Sequence, residues 1–218
     1  MSKKVAVILA GCGVFDGSEI YEATLVQLRL DEANVEFQCM APNVDQMHVL
    51  NHITGEEMSE SRNVLVESAR LCRGNIIDLE QANPSDYDAV IVPGGFGVAK
   101  NLSTFATEGT DMTINPSLIQ FVQAMHEQGK PIGLVCIAPA LAPKLLGEGV
   151  KCTLGSADDD AAKAVEAMGG QHEACGVSEI SIDEQHKLVT TPAYMLAGRI
   201  SEASSGISKL VETVLNMA

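Results

Sequence analysis

At 218 residues, with 46% hydrophobic and 20% charged side chains, the chain is long enough to bury one sizeable core and too apolar to be disordered. Fourteen basic residues against twenty-nine acidic ones leave a formal charge of −15, which repels phosphate backbones and anionic lipid surfaces; no nucleic acid and no membrane are expected as partners. The apolar runs fall far short of the ~20 residues that span a bilayer. Met1-Ser2-Lys3-Lys4 leads straight into a strand-like run without a secretory h-region, so a cytoplasmic protein is expected.

Residues 5–9 (Val-Ala-Val-Ile-Leu) read as a buried strand, followed by a glycine-rich turn from Gly11 to Gly17. Ser18 is placed to cap a helix running to about Asn34, with Ile20, Thr24 and Leu28 recurring at four-residue steps. A second strand follows at 35–40. Residues 43–62 are polar and irregular and read as a functional or interface loop, and a helix is expected over 63–72. Residues 88–92 form another apolar run, stopped by Pro93-Gly94-Gly95. A helix stripe of Leu118, Phe121, Val122 and Met125 precedes a strand at 131–135, which runs into Cys136 and a helix expected over 138–146. Short strands are expected near 150–154, 178–182 and 187–191, before a closing helix with Ile207, Leu210, Val211 and Val214 on one face. Strands alternating with helices, without linker or repeat, predict a single α/β domain over 1–218. Its architecture is a three-layer sandwich around a mostly parallel, flavodoxin-like central sheet.

The six cysteines, Cys12, Cys39, Cys72, Cys136, Cys152 and Cys175, contain no C-x-x-C pair and read as free thiols. In open α/β sheets, sites form beyond the carboxyl ends of the strands, where Gly11–Glu22, Pro93–Gly97 and Val135–Pro139 would converge. A strand ending in Cys136 and turning at once into a helix presents the thiol on an elbow, as G-x-S-x-G does for serine hydrolases. A helix start behind it would favour thiolate. The N–H of Ile137 is one expected oxyanion donor, with a second from the Gly94-Gly95 turn. Cys12 lies at the same sheet end and His48 and His52 in the irregular loop, so each could approach the site. His126 and His186 read as solvated. Asp158-Asp159-Asp160 reads as a solvated helix entry and not a metal cluster; neither metal nor organic cofactor is expected.

The segments 90–97 (Val-Ile-Val-Pro-Gly-Gly-Phe-Gly) and 133–140 (Gly-Leu-Val-Cys-Ile-Ala-Pro-Ala) resemble the ThiJ/PfpI superfamily, whose fold is that of class I glutamine amidotransferases. Residues 8–20, Asn51-His52-Ile53-Thr54-Gly55-Glu56, Lys100-Asn101-Leu102-Ser103 and 190–197 are similar to its ElbB-type branch. The resemblance spans the chain. It implies a homodimer with Cys136 as nucleophile, an acidic first-helix residue beside it, and glutathione-independent conversion of glyoxal to glycolate. Deglycation and a non-enzymatic redox-sensing role are the alternatives for the same cysteine. Amidotransferases and PfpI-type proteases place histidine directly after the nucleophile; Ile137 stands there, so a Cys–His dyad by that route is excluded and a carboxylate is expected as the base. Glu19 and Glu22 are the candidates, and counting back from the helix end puts the superfamily's acid at Glu22.

Overall fold

The computed structural model describes residues 3–218; Met1 and Ser2, read as the lead into the first strand, lie outside the described residues. In chain order the strands are β1 (Lys4–Ile8), β2 (Glu36–Ala41), β3 (Ile76–Asp78), β4 (Ala89–Val92), β5 (Ile132–Val135), β6 (Lys151–Cys152), β7 (Gln171–His172), β8 (Ser181–Asp183) and β9 (Leu188–Thr191). The α-helices are α1 (Ile20–Glu32), α2 (Val64–Ser68), α3 (Phe96–Lys100), α4 (Phe105–Glu108), α5 (Pro116–Glu127), α6 (Ala142–Leu146), α7 (Asp160–Ala167) and α8 (Ile200–Met217).

The described residues form a seven-stranded sheet in the order β3-β2-β1-β4-β5-β9-β8, with β6 and β7 as a separate ribbon. Every pairing in the large sheet is parallel except β8 with β9. Strand alternation divides the core in two. Ala6, Ile8, Val90 and Val92 face one side with α5 and α6, while Val5, Val7, Leu9 and Ile91 face the other with α1 and α8. Both faces are covered, which is why the central strands read as unbroken apolar runs. The expected three-layer α/β sandwich is the observed fold.

Three expectations about elements change. Ser18 does not cap α1: its hydroxyl accepts the Ala10 N–H, and Glu19 takes the N-cap position. The Ile20–Thr24–Leu28 stripe is the exposed face of α1, with Ile20 44% and Leu28 42% accessible, because the helix packs through Ala23, Val26 and Leu30. The strand expected near 150–154 pairs with β7 outside the main sheet.

The strand order reverses direction of growth between β1 and β4. The carboxyl ends of β1, β4 and β5 therefore open around a crevice at the point where open α/β sheets bind ligands.

Candidate active site

At the end of β5 the backbone turns sharply. Cys136 has φ +62° and its N–H donates to Thr191 O at 2.9 Å, pinning the elbow to β9. A left-handed conformation costs a non-glycine residue roughly 1–3 kcal/mol and persists where the surroundings impose it. Among the described residues, Asn34, Arg73, Lys187 and Ala193 are the other non-glycine residues at positive φ. Cys136 and Ala193 flank a single carboxylate, that of Glu22, so two of the five strained positions belong to this site.

Glu22 lies in the first turn of α1 and is completely buried. Its Oε2 accepts the Gly94 N–H at 2.9 Å and its Oε1 the Tyr194 N–H at 3.2 Å, the latter delivered by the strained turn at Ala193. The carboxyl also hydrogen-bonds the Cys136 thiol. Burial is the dominant influence and pushes Glu22 from its ordinary 4.5 up to about 8, although the backbone donors pull the other way. Cys136 is raised well above its ordinary value, first by burial and then by the charge of Glu22 and the hydrogen bond to it. The N–H groups of Gly95 and Ile137 point at the sulfur and oppose that rise.

The expected resting thiolate is therefore corrected: below about pH 8 the pair holds a carboxylic acid and a thiol. Part of the reason is the helix start. Residues Ala138–Leu141 form a 3₁₀ turn and α6 begins only at Ala142, so no α-helical N-terminus faces the sulfur.

Glu19 and Glu22 occupy different sides of the sulfur. Oε2 of Glu19 accepts the Glu22 N–H at 2.7 Å as the α1 cap, and burial raises its carboxyl. Glu19 lines the cavity in front of Cys136, whereas Glu22 sits behind the thiol. That cavity measures about 400 Å³, and Val14, Gly95, Phe96, Ile137 and Tyr194 also line it.

The two glycines of the expected oxyanion turn have separate functions. Gly95, at φ +101°, directs its N–H toward the sulfur together with Ile137. Gly94 is corrected as a donor, since its N–H is already given to Glu22. It serves close packing instead: a Cβ there would meet Cys136 Cβ at 2.5 Å and Glu22 Oε2 at 2.7 Å. Gly94→Ala should push the thiol and carboxyl apart and destabilise the fold by roughly 1–3 kcal/mol. A thermal melt of that variant should show a Tm several degrees lower, and an unchanged melt would contradict this packing.

Sequence reasoning missed Asp159 and Tyr194 as cavity residues. Asp159 does cap α7, accepting the Ala161 N–H at 2.8 Å, but nothing local to it signals its place beside Cys136. The histidines do not reach the thiol. His52 Nε2 accepts the Phe15 N–H at 3.2 Å and its Nδ1 bonds Leu50 O, tying the 43–62 loop to the glycine turn. His48 lies 3.9 Å from Glu57. His186, expected to be solvated, is mostly buried against Asp183 at 2.8 Å and stacks on His126. Cys12 is half-buried beside Glu67 and Arg70 and does not line the cavity.

The family model for the DJ-1/PfpI family matches residues 3–191. The chain belongs to the DJ-1/PfpI family. It is 44% identical to the rat "ES1 protein homolog, mitochondrial", covering 98% of this chain and 84% of the relative. It is also 44% identical to the human "Glutamine amidotransferase-like class 1 domain-containing protein 3, mitochondrial", covering 98% and 83%. A crystal structure from Ehrlichia chaffeensis, described as an isoprenoid biosynthesis protein with an amidotransferase-like domain, superposes with a TM-score of 0.93. It is 38% identical, with 99% of each chain covered. The expectation of a cytoplasmic protein is overturned by the rat and human relatives, both named as mitochondrial. The names of these DJ-1/PfpI relatives state no glyoxalase activity.

Proposed function

We propose that this protein is a cofactor-independent glyoxalase acting on 2-oxoaldehydes, glyoxal among them. One observation carries the reading: the Cys136 thiol contacts a proton-holding carboxyl on one side and two convergent N–H groups on another, with an open cavity in front. A nucleophile, a proton acceptor and preorganised donors are the parts needed to add sulfur to an aldehyde and stabilise the oxyanion.

Glu22, once ionised, takes the thiol proton. The Cys136 sulfur then bonds to one aldehyde carbon, and the N–H groups of Gly95 and Ile137 receive the developing alkoxide, which is protonated to a hemithioacetal. Glu19, on the cavity wall, removes the C–H proton of the sulfur-bearing carbon to give an enediol and returns a proton to the neighbouring carbon. The product is a thioester of glycolic acid. Water cleaves it, releasing glycolate and restoring the thiol. The carbons exchange oxidation states internally, so no external redox partner is required.

The test is glyoxal turnover in D₂O followed by NMR. A proton carried by a carboxylate exchanges with solvent, so the expected product is glycolate with deuterium at its CH₂ carbon. Glycolate free of deuterium would indicate hydride transfer and overturn the enediol route, and no glycolate at all would overturn the activity.

A further inference from the structure

A second cavity, of about 500 Å³, adjoins the Cys136 cavity. Phe96 and Ile137 line both, so the two cavities meet at those side chains. Its walls are Phe15, Leu50, Ala99, Phe105 and Ala106, with Lys100 at one side. The chain has five phenylalanines, and three of them face this one space. Phe15 remains 37% and Phe96 49% accessible, an exposed aromatic surface that only an occupant would remove from water.

The walls are held in place. Lys100 Nζ donates to Phe15 O at 2.7 Å and lies 5.3 Å from the centre of the Phe96 ring. His52 accepts the Phe15 N–H and packs against the Phe15 ring, with ring centres 4.9 Å apart. The irregular 43–62 loop, which supplies His52 and Leu50, therefore builds this cavity. Glyoxal is the smallest 2-oxoaldehyde and fits within the Cys136 cavity alone, leaving the phenylalanine cavity empty.

We infer that the cavity between Phe15, Phe96 and Phe105 is a subsite for the side chain of a larger 2-oxoaldehyde, aryl or branched alkyl, whose aldehyde reaches Cys136 across Phe96 and Ile137. This rests on the glyoxalase reading of Cys136. The chemistry is unchanged: sulfur adds to the aldehyde carbon, that carbon's proton moves to the former ketone carbon, and water cleaves the thioester to a 2-hydroxy acid. With phenylglyoxal the product is mandelate. The volume and apolar walls suit a phenyl ring, and pockets of this kind discriminate side chains by on the order of 10–100-fold.

The experiment compares initial rates with phenylglyoxal and glyoxal in the wild type, Ala106→Ile and Ala106→Trp. Ala106 is exposed on α4, so larger side chains enter the cavity from its rim, away from the thiol. The expected kcat/KM is at least about tenfold higher for phenylglyoxal. That advantage should shrink in Ala106→Ile and vanish in Ala106→Trp, with glyoxal turnover unchanged in both. No preference for phenylglyoxal, or a loss shared equally by both substrates, would overturn the subsite and leave the glyoxalase reading standing. Dissociation of a dimer by Ala106→Trp with the phenylglyoxal preference intact would also overturn it, assigning the cavity to a second copy. If the wild type turns over neither substrate, the glyoxalase reading fails, and NMR titration with the unreactive acetophenone decides the cavity. Binding weakened at least about fivefold by Ala106→Trp supports an aryl site there, and equal or absent binding overturns it.

Discussion

Cys136→Ser is expected to lower glyoxal turnover by at least about 10³-fold while leaving the fold intact, as loss of a nucleophile does when the remaining catalytic groups act through it. Serine matches the thiol closely in size and can keep the hydrogen bond to Glu22, so the buried carboxyl retains a partner. The positive φ at position 136 and the N–H bond to Thr191 O belong to the backbone and persist. What changes is the atom's acidity. An alcohol beside a carboxyl that titrates near 8 stays protonated throughout the working pH range, so no anion forms to attack the aldehyde. Cys136→Ala is the less clean variant, because it leaves the Glu22 proton without an acceptor in a closed space and adds a stability penalty of roughly 1–3 kcal/mol. Equal Tm values for Cys136→Ser and the wild type, with glycolate formation lost, are the expected pair of results. A serine variant that keeps more than a tenth of the activity would remove Cys136 from the mechanism.

The parts of this site that were legible in the sequence are those encoded by contiguous residues. The run from Ile132 to Val135 ending at Cys136 shows a buried strand and an elbow, because β5 is covered on both faces and must be apolar throughout. Gly94-Gly95 shows a turn that approaches something closely, but not what each glycine does there. Only the fold reveals that one N–H goes to a carboxylate and the other to sulfur. Tyr194 is 172 positions from Glu22, and its N–H reaches that carboxyl through a strained turn at Ala193 that no sequence pattern announces. The same limit explains the reversed face of α1. A helical spacing of Ile20, Thr24 and Leu28 identifies a face, but Ala23, Val26 and Leu30 define another of the same period, and packing chooses between them. The elements β3, β7, α3 and α4, which the sequence did not announce, span five residues or fewer and so show too little periodicity to detect.

Glu22→Gln should lower kcat/KM for glyoxal by roughly 10²–10⁴-fold, the range for removing a general base. It should also abolish a pH limb that Glu19→Gln preserves. In the wild type the buried pair loses its first proton near pH 8, so kcat/KM and alkylation of Cys136 by iodoacetamide should rise together toward that pH. Glutamine has no proton to give up, and both curves should lose that inflection. Glu19 stands on the cavity wall, where it moves the substrate's C–H proton, and does not hold the sulfur's proton; Glu19→Gln should therefore also lower turnover but leave the inflection near 8 in Cys136 alkylation in place. Stability supplies an independent reading. Because Glu22 is raised from 4.5 to about 8 in the folded protein, the native state keeps a proton that the unfolded chain releases in that window. Its contribution is complete below pH 4.5 and is lost as the pH rises toward 8, at no more than about 1.4 kcal/mol per pH unit. In Glu22→Gln that slope disappears. The amide NH₂ cannot accept one of the two N–H groups from Gly94 and Tyr194, so the variant starts roughly 1–3 kcal/mol less stable in acid. The two Tm curves should therefore converge and then cross as the pH rises from 5 to 8. Parallel curves would show that Glu22 carries no extra proton in the folded state, and with it would go the account of how the thiol is activated.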